Sequence, residues 1–94
     1  MTVRFYVDPA TEQPHIYGHA VVEEEVEDVL ARPMEDRTGR DGSRIALGQT
    51  ESGRYLRVIY VPDSIPCSVF VITAYELRRT ARSTYWRRQR RKPR

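Results

Sequence analysis

The 94-residue chain is poor in cysteine, in long apolar runs, and in acid over its last quarter. The one cysteine, Cys67, excludes an internal disulfide and suits a reducing compartment. Between Pro66 and Ser68 it reads as a spectator thiol rather than a nucleophile. No apolar run approaches the roughly 20 residues that a membrane-crossing helix needs, and the first residues hold no signal-peptide core. The expectation is a soluble cytoplasmic protein. Two histidines with no Cys or Asp at ligand spacing make no metal signature, and no glycine-rich loop is present to cradle a phosphate. No cofactor is therefore expected. Internal repeats are missing too, and this length predicts one domain over residues 1–94. Within it, residues 1–14 form an N-terminal strand and approach segment, 15–86 the core, and 87–94 a basic tail.

What is present is charge, unevenly placed. Residues 1–36 hold nine acidic and two basic side chains, and residues 37–77 hold four and five. Residues 78–94 hold nine basic side chains and no acid. The three segments thus carry −7, +1 and +9, a polarity that the net charge of +3 conceals. Fifteen of the sixteen basic residues are Arg, whose planar fork grips phosphate or carboxylate at two points. Such an imbalance speaks to partners and not to fold.

Periodicity predicts the elements. Val3, Phe5 and Val7 alternate as in a short strand, which Asp8-Pro9 and Gln13-Pro14 punctuate. After an approach segment from His15 to His19, Val22, Val26, Val29 and Leu30 make one apolar stripe of a helix over Val22 to Ala31. Glu23, Glu24 and Glu25 suit the positive end of its dipole, and Pro33 ends it. Residues Glu35 to Ser43 are polar and glycine-containing, so a loop is expected. Strands follow at 44–50, 54–61 and 68–74, joined by Glu51-Ser52-Gly53 and by Pro62 to Pro66. Val58 and Ile72 are expected to be buried, the latter in a strand covered on both faces. A last helix is expected from about Tyr75 to Arg90, carrying the basic residues. The predicted class is α+β: a three-stranded antiparallel meander, plus an N-terminal strand, packed by an N-terminal helix and a basic C-terminal helix.

The run from His19 to Leu30, the proline after it, Ala46 to Gly48, Gly53 to Tyr60, and Val71 to Glu76 followed by an Arg-rich tail resemble BrnT-type toxins and a bacterial domain family similar to them. The resemblance covers roughly residues 15 to 90. It implies a fold similar to the RelE ribonuclease superfamily, an RNA-cleaving activity, and an acidic-faced antitoxin partner. Where those toxins usually carry Ser-Ala-Arg-Lys, this chain has Thr73-Ala74-Tyr75-Glu76, so Tyr and Glu replace a basic pair.

Cleavage of RNA by its own 2′-hydroxyl needs a base, an acid and a cation at the phosphate. His19 suits either proton-carrying role, or else merely shapes the start of a helix. Arg57 shares a strand face with Tyr55 and Ile59 and suits a phosphate clamp, unless Glu76 or an acid of the first helix pairs with it. Tyr75 and Glu76 could supply the second proton group, with Arg79 a supporting cation; alternatively Tyr75 packs and Glu76 serves a helix's first turn. Arg78, Arg79, Arg82, Arg87 and Arg88, interrupted by Tyr85 and Trp86, combine positive charge with rings on which bases stack. Three functions remain open: an endoribonuclease, a non-catalytic RNA- or ribosome-binding module, and a domain docking an acidic antitoxin-like protein through the basic helix.

Overall fold

The structure, a computed structural model, describes residues 1–77. Its strands are β1 (Thr2–Phe5), β2 (Val7–Asp8), β3 (Gln13–Pro14), β4 (Glu35–Thr38), β5 (Arg44–Gln49), β6 (Tyr55–Pro62) and β7 (Ser68–Glu76), and its helix is α1 (Glu23–Ala31). Five strands form one sheet in the order β1-β7-β6-β5-β4, while β2 and β3 pair as a separate hairpin. β1 runs parallel to β7; every other pairing in the sheet is antiparallel. The domain is α+β with a mixed five-stranded sheet and one helix among the described residues. The expected basic C-terminal helix lies, apart from its first residues, outside the described ones.

The helix packs on one sheet face. Val26 and Val29 are fully buried against Ala46, Leu56, Val58, Tyr60, Val71 and Ala74, with Ile16 and Val21 joining from the segment before the helix. Each such side chain is worth roughly 1.5–3 kcal/mol by removal from water. Helix and sheet come close at Gly48, where a Cβ would lie 3.1 Å from Val29 Cγ1. Leu30 packs at the edge of this core. Val22 does not, contrary to the stripe expected of it. It is the residue before the first turn, extended and 46% exposed, and its N–H donates to Glu25 Oε1 at 3.1 Å. A glutamate reaching back in this way satisfies one orphan donor where no Ser or Thr stands.

Three further expectations are corrected. Residues 35–38 form the edge strand β4 rather than loop, because Asp36 accepts hydrogen bonds from Tyr60 Oη (2.6 Å) and Arg44 Nε (2.9 Å) and so ties a polar segment to β5 and β6. Burial pushes the Tyr60 hydroxyl pKa up, with Asp36 adding to it, so the group stays a donor. Ile72 is 37% exposed, not buried. Register slips between Ile59↔Thr73 and Tyr60↔Val71, leaving Ile72 as the extra residue of a bulge that turns its side chain out of the alternation. Tyr75 and Glu76 end a strand rather than begin a helix. They pair with Arg57 and Leu56, and Leu77 N–H still donates to Tyr55 C=O at 2.8 Å, so the β6 ladder takes these backbone groups.

Candidate functional site

The site arises where β1 stops short. β1 pairs with β7 only as far as Phe5↔Val71, which leaves the last residues of β7 without a parallel neighbour. Tyr6 N–H still donates to Val71 C=O (2.9 Å), and the chain then turns out through the β2–β3 hairpin. It returns as a 3-10 turn, His15–His19, lying against β7. Buried Ile16 anchors this turn in the core, and His15 N–H donates to Tyr6 C=O at 2.9 Å. Ala20 closes it in the left-handed region (φ 58°), its N–H directed at the carbonyls of Ile16 and Tyr17. His19 is thereby delivered, exposed, to the end of β7.

There its ring centroid lies 5.9 Å from that of Tyr75. Tyr75 stands directly opposite Arg57 on the neighbouring strand, so their side chains share a face. Arg57 Nη1 donates to Tyr75 Oη at 3.2 Å, and its guanidinium carbon lies 5.9 Å from the Tyr75 ring centroid. Three of the four residues singled out for proton transfer and phosphate binding therefore meet: His19, Tyr75 and Arg57. Arg57 pairs with no carboxylate among the described residues, and its Nε is buried without a hydrogen-bond partner. A half-buried guanidinium that pairs with no described carboxylate is suited to an incoming anion, which its terminal nitrogens and not the buried Nε would meet.

Glu76 does not join them. Alternation turns it to the helix face, where Arg54 Nη2 donates to its Oε1 at 3.3 Å. The acid-pairing considered for Arg57 belongs instead to Arg54. That guanidinium also donates to both carboxylate oxygens of Glu25 (2.8 Å) and to Ala20 C=O (2.9 Å). Hydrogen bonding to Glu25 above all raises its pKa further, so the charge is permanent. Arg54 thus ties the start of α1, the close of the 3-10 turn and the end of β7 into one joint.

Two further rings lie beside the cluster. His15 sits edge-on to His19, centroids 5.3 Å apart, and Tyr6 lies 6.1 Å from His15. The i, i+4 spacing of the histidines was the available signal, but it also fits a chance pair on an exposed turn. Among the described residues, no group of three or more His, Cys, Asp or Glu is placed to hold a metal ion. The proposed RNA-contacting residues Arg78, Arg79, Arg82, Trp86, Arg87 and Arg88 lie outside the described residues.

No protein-family model, curated protein or solved structure matches the chain. What the site can do is therefore read from its own chemistry. It offers a cation for a phosphate, a phenol oriented by that cation, and an exposed imidazole next to the phenol.

Proposed function

We propose that this protein is a cytoplasmic endoribonuclease of the kind its resemblance to BrnT and RelE toxins implies, cutting RNA by attack of the 2′-hydroxyl on the adjacent phosphate. The meeting of His19, Tyr75 and Arg57 carries this reading. Arg57 seats the scissile phosphate and offsets the charge that grows on it. Tyr75 Oη accepts from Arg57, which leaves its own proton free for the departing 5′-oxygen. His19 takes the proton from the 2′-hydroxyl. Glu76 has no part in the chemistry, since Arg54 occupies it on the other face.

The acid-free segment 78–94 supports the same reading from the sequence, since nine positive charges draw a polyanion to the site. They would equally hold an acidic antitoxin-like protein that shields the site when bound.

The test is inducible expression in bacteria with growth and bulk RNA followed, paired with cleavage of RNA by the purified protein. Growth arrest with RNA loss is expected, and His19→Ala is expected to slow cleavage by about 100-fold or more. Harmless expression with salt-sensitive RNA binding would refute the nuclease and favour a non-catalytic RNA-binding module. Harmless expression without RNA binding would leave docking of an acidic protein as the function of segment 78–94.

A further inference from the structure

The row of rings does not stop at the reacting cluster. From Tyr75 it passes to His19 and His15, and it ends at Tyr6, each ring 5.3–6.1 Å from the next. Beside this row lies a pocket of about 340 Å³, lined by His15, Tyr17 and His19 together with Asp8 and Gln13. We infer that this pocket is a nucleobase subsite that receives the base next to the phosphate seated on Arg57. The inference rests on the RNA-directed reading above, but it concerns binding and not cleavage.

Tyr17 is 41% exposed and takes no part in the core, yet it is held in place, its hydroxyl donating to Glu23 Oε1 at 2.7 Å. That bond and the neighbouring carboxylates raise the Tyr17 pKa, so the phenol stays neutral and keeps its grip. Folding has thus fixed the orientation of a large ring that it does not bury, which lowers the entropy lost when something stacks on it. Aromatic rings beside a phosphate-binding cation are the general means of holding single-stranded nucleic acid, because every base has a stackable face.

The polar lining residues offer a way to read the base's edge. Asp8 Oδ1 is engaged by Ala10 N–H (2.9 Å), while Oδ2 lies 3.8 Å from His15 Nδ1 and keeps capacity to accept from a base N–H. The Gln13 side-chain amide supplies both a donor and an acceptor. Asp8 and Gln13 are also preorganised, since Asp8 C=O accepts from Thr11 N–H (3.2 Å) and Glu12 N–H (2.7 Å) and closes the hairpin that holds both residues. A concave site with aromatic walls and a few fixed polar groups matches a heteroaromatic ring bearing donors and acceptors.

The test uses 2′-O-methyl RNA tetranucleotides, which cannot be cleaved, and counterparts in which one base at a time is removed from its sugar. Binding to the full chain is read by titration, and the imidazole resonances of His15 and His19 are followed by NMR. For the wild type, loss of one particular base should weaken binding about tenfold or more, as removal of a stacked base does elsewhere. The intact oligonucleotide should shift the His15 signal. In a His15→Ala/Tyr17→Ala variant, shown folded by circular dichroism, intact and abasic oligonucleotides should bind alike, because the rings that would hold the base are gone. Equal binding of intact and abasic forms by the wild type, or an unmoved His15 resonance at saturation, would overturn the subsite. A chain that discriminates them but cuts no RNA keeps the subsite and refutes the nuclease. One that cuts RNA without discriminating them does the reverse.

Discussion

Arg57 and Tyr75 face each other across β6 and β7, joined by a 3.2 Å hydrogen bond in which the guanidinium donates and the phenol accepts. The bond leaves the phenolic proton available, and the His19 ring lies 5.9 Å from the Tyr75 ring, centroid to centroid. Tyr75→Phe should therefore lower RNA cleavage by roughly 10²-fold, the scale of one general acid. RNA affinity and unfolding midpoint should change little. Arg57→Lys should also slow cleavage, because an ammonium cannot reproduce the two-pronged grip. Single-turnover cleavage of a labelled RNA checks both, and wild-type rates in both variants would remove these residues from the chemistry.

Arg54 is a structural joint and should behave unlike Arg57. Arg54→Met leaves Glu25 and Ala20 C=O without their charged donor, at a cost of about 1–2 kcal/mol after allowance for partial exposure. Urea unfolding should record that loss. Arg57→Met, measured the same way, should be close to neutral, since no carboxylate among the described residues depends on it.

The bulge at Ile72 separates two apolar residues that look alike in sequence. Val58→Ala should destabilise by about 1–3 kcal/mol through lost burial and the cavity left behind. Ile72→Ala should cost clearly less than Val58→Ala, because its side chain is already partly in water. Equal losses in thermal or urea unfolding would contradict the observed register.

Asp63 introduces a pH dependence. Arg4 Nη1 donates to it at 2.8 Å and, with smaller help from Ser68 and Ser64 N–H, holds its pKa below the usual carboxylate value. A carboxyl lowered in the folded state contributes stability above its unfolded pKa, near 3.9, and loses it as pH falls through the lower folded value. Asp63→Asn should therefore be less stable than wild type at neutral pH, with the gap closing below about pH 4. A gap that persists undiminished at pH 2, measured by urea unfolding, would show that charge is not its source.

Segment 78–94 should set the salt dependence of RNA binding. If about five of its charges meet phosphates, log K against log salt should slope at roughly −3.5 to −4.5, and removing residues 87–94 should flatten it. An unchanged slope after that deletion would take those residues out of the interface.

Much of this arrangement could be read from residue order alone. Strict alternation over 54–61, the apolar 3.6-residue stripe with its acidic first turn, and two punctuated connections determine the helix and the antiparallel meander, because these are local periodicities enforced by backbone geometry. The opposite faces of Arg54 and Arg57 follow from the same alternation. Local pattern does not carry long-range pairing. That β1 lies parallel to β7, that polar residues 35–38 become an edge strand through Asp36, and that a bulge turns Ile72 outward are decided only when strands far apart in sequence meet. The candidate site belongs to this second class. His19, Arg57 and Tyr75 were each identifiable by chemical type, but their meeting depends on β1 ending at Phe5, so that the 3-10 turn can fill the vacated edge of β7. The partition between the two arginines, one locked to carboxylates and one set against Tyr75, was equally hidden. It rests on which side of a sheet a helix lands, and that is settled by the burial of Val26 and Val29 against Leu56, Val58 and Ala74.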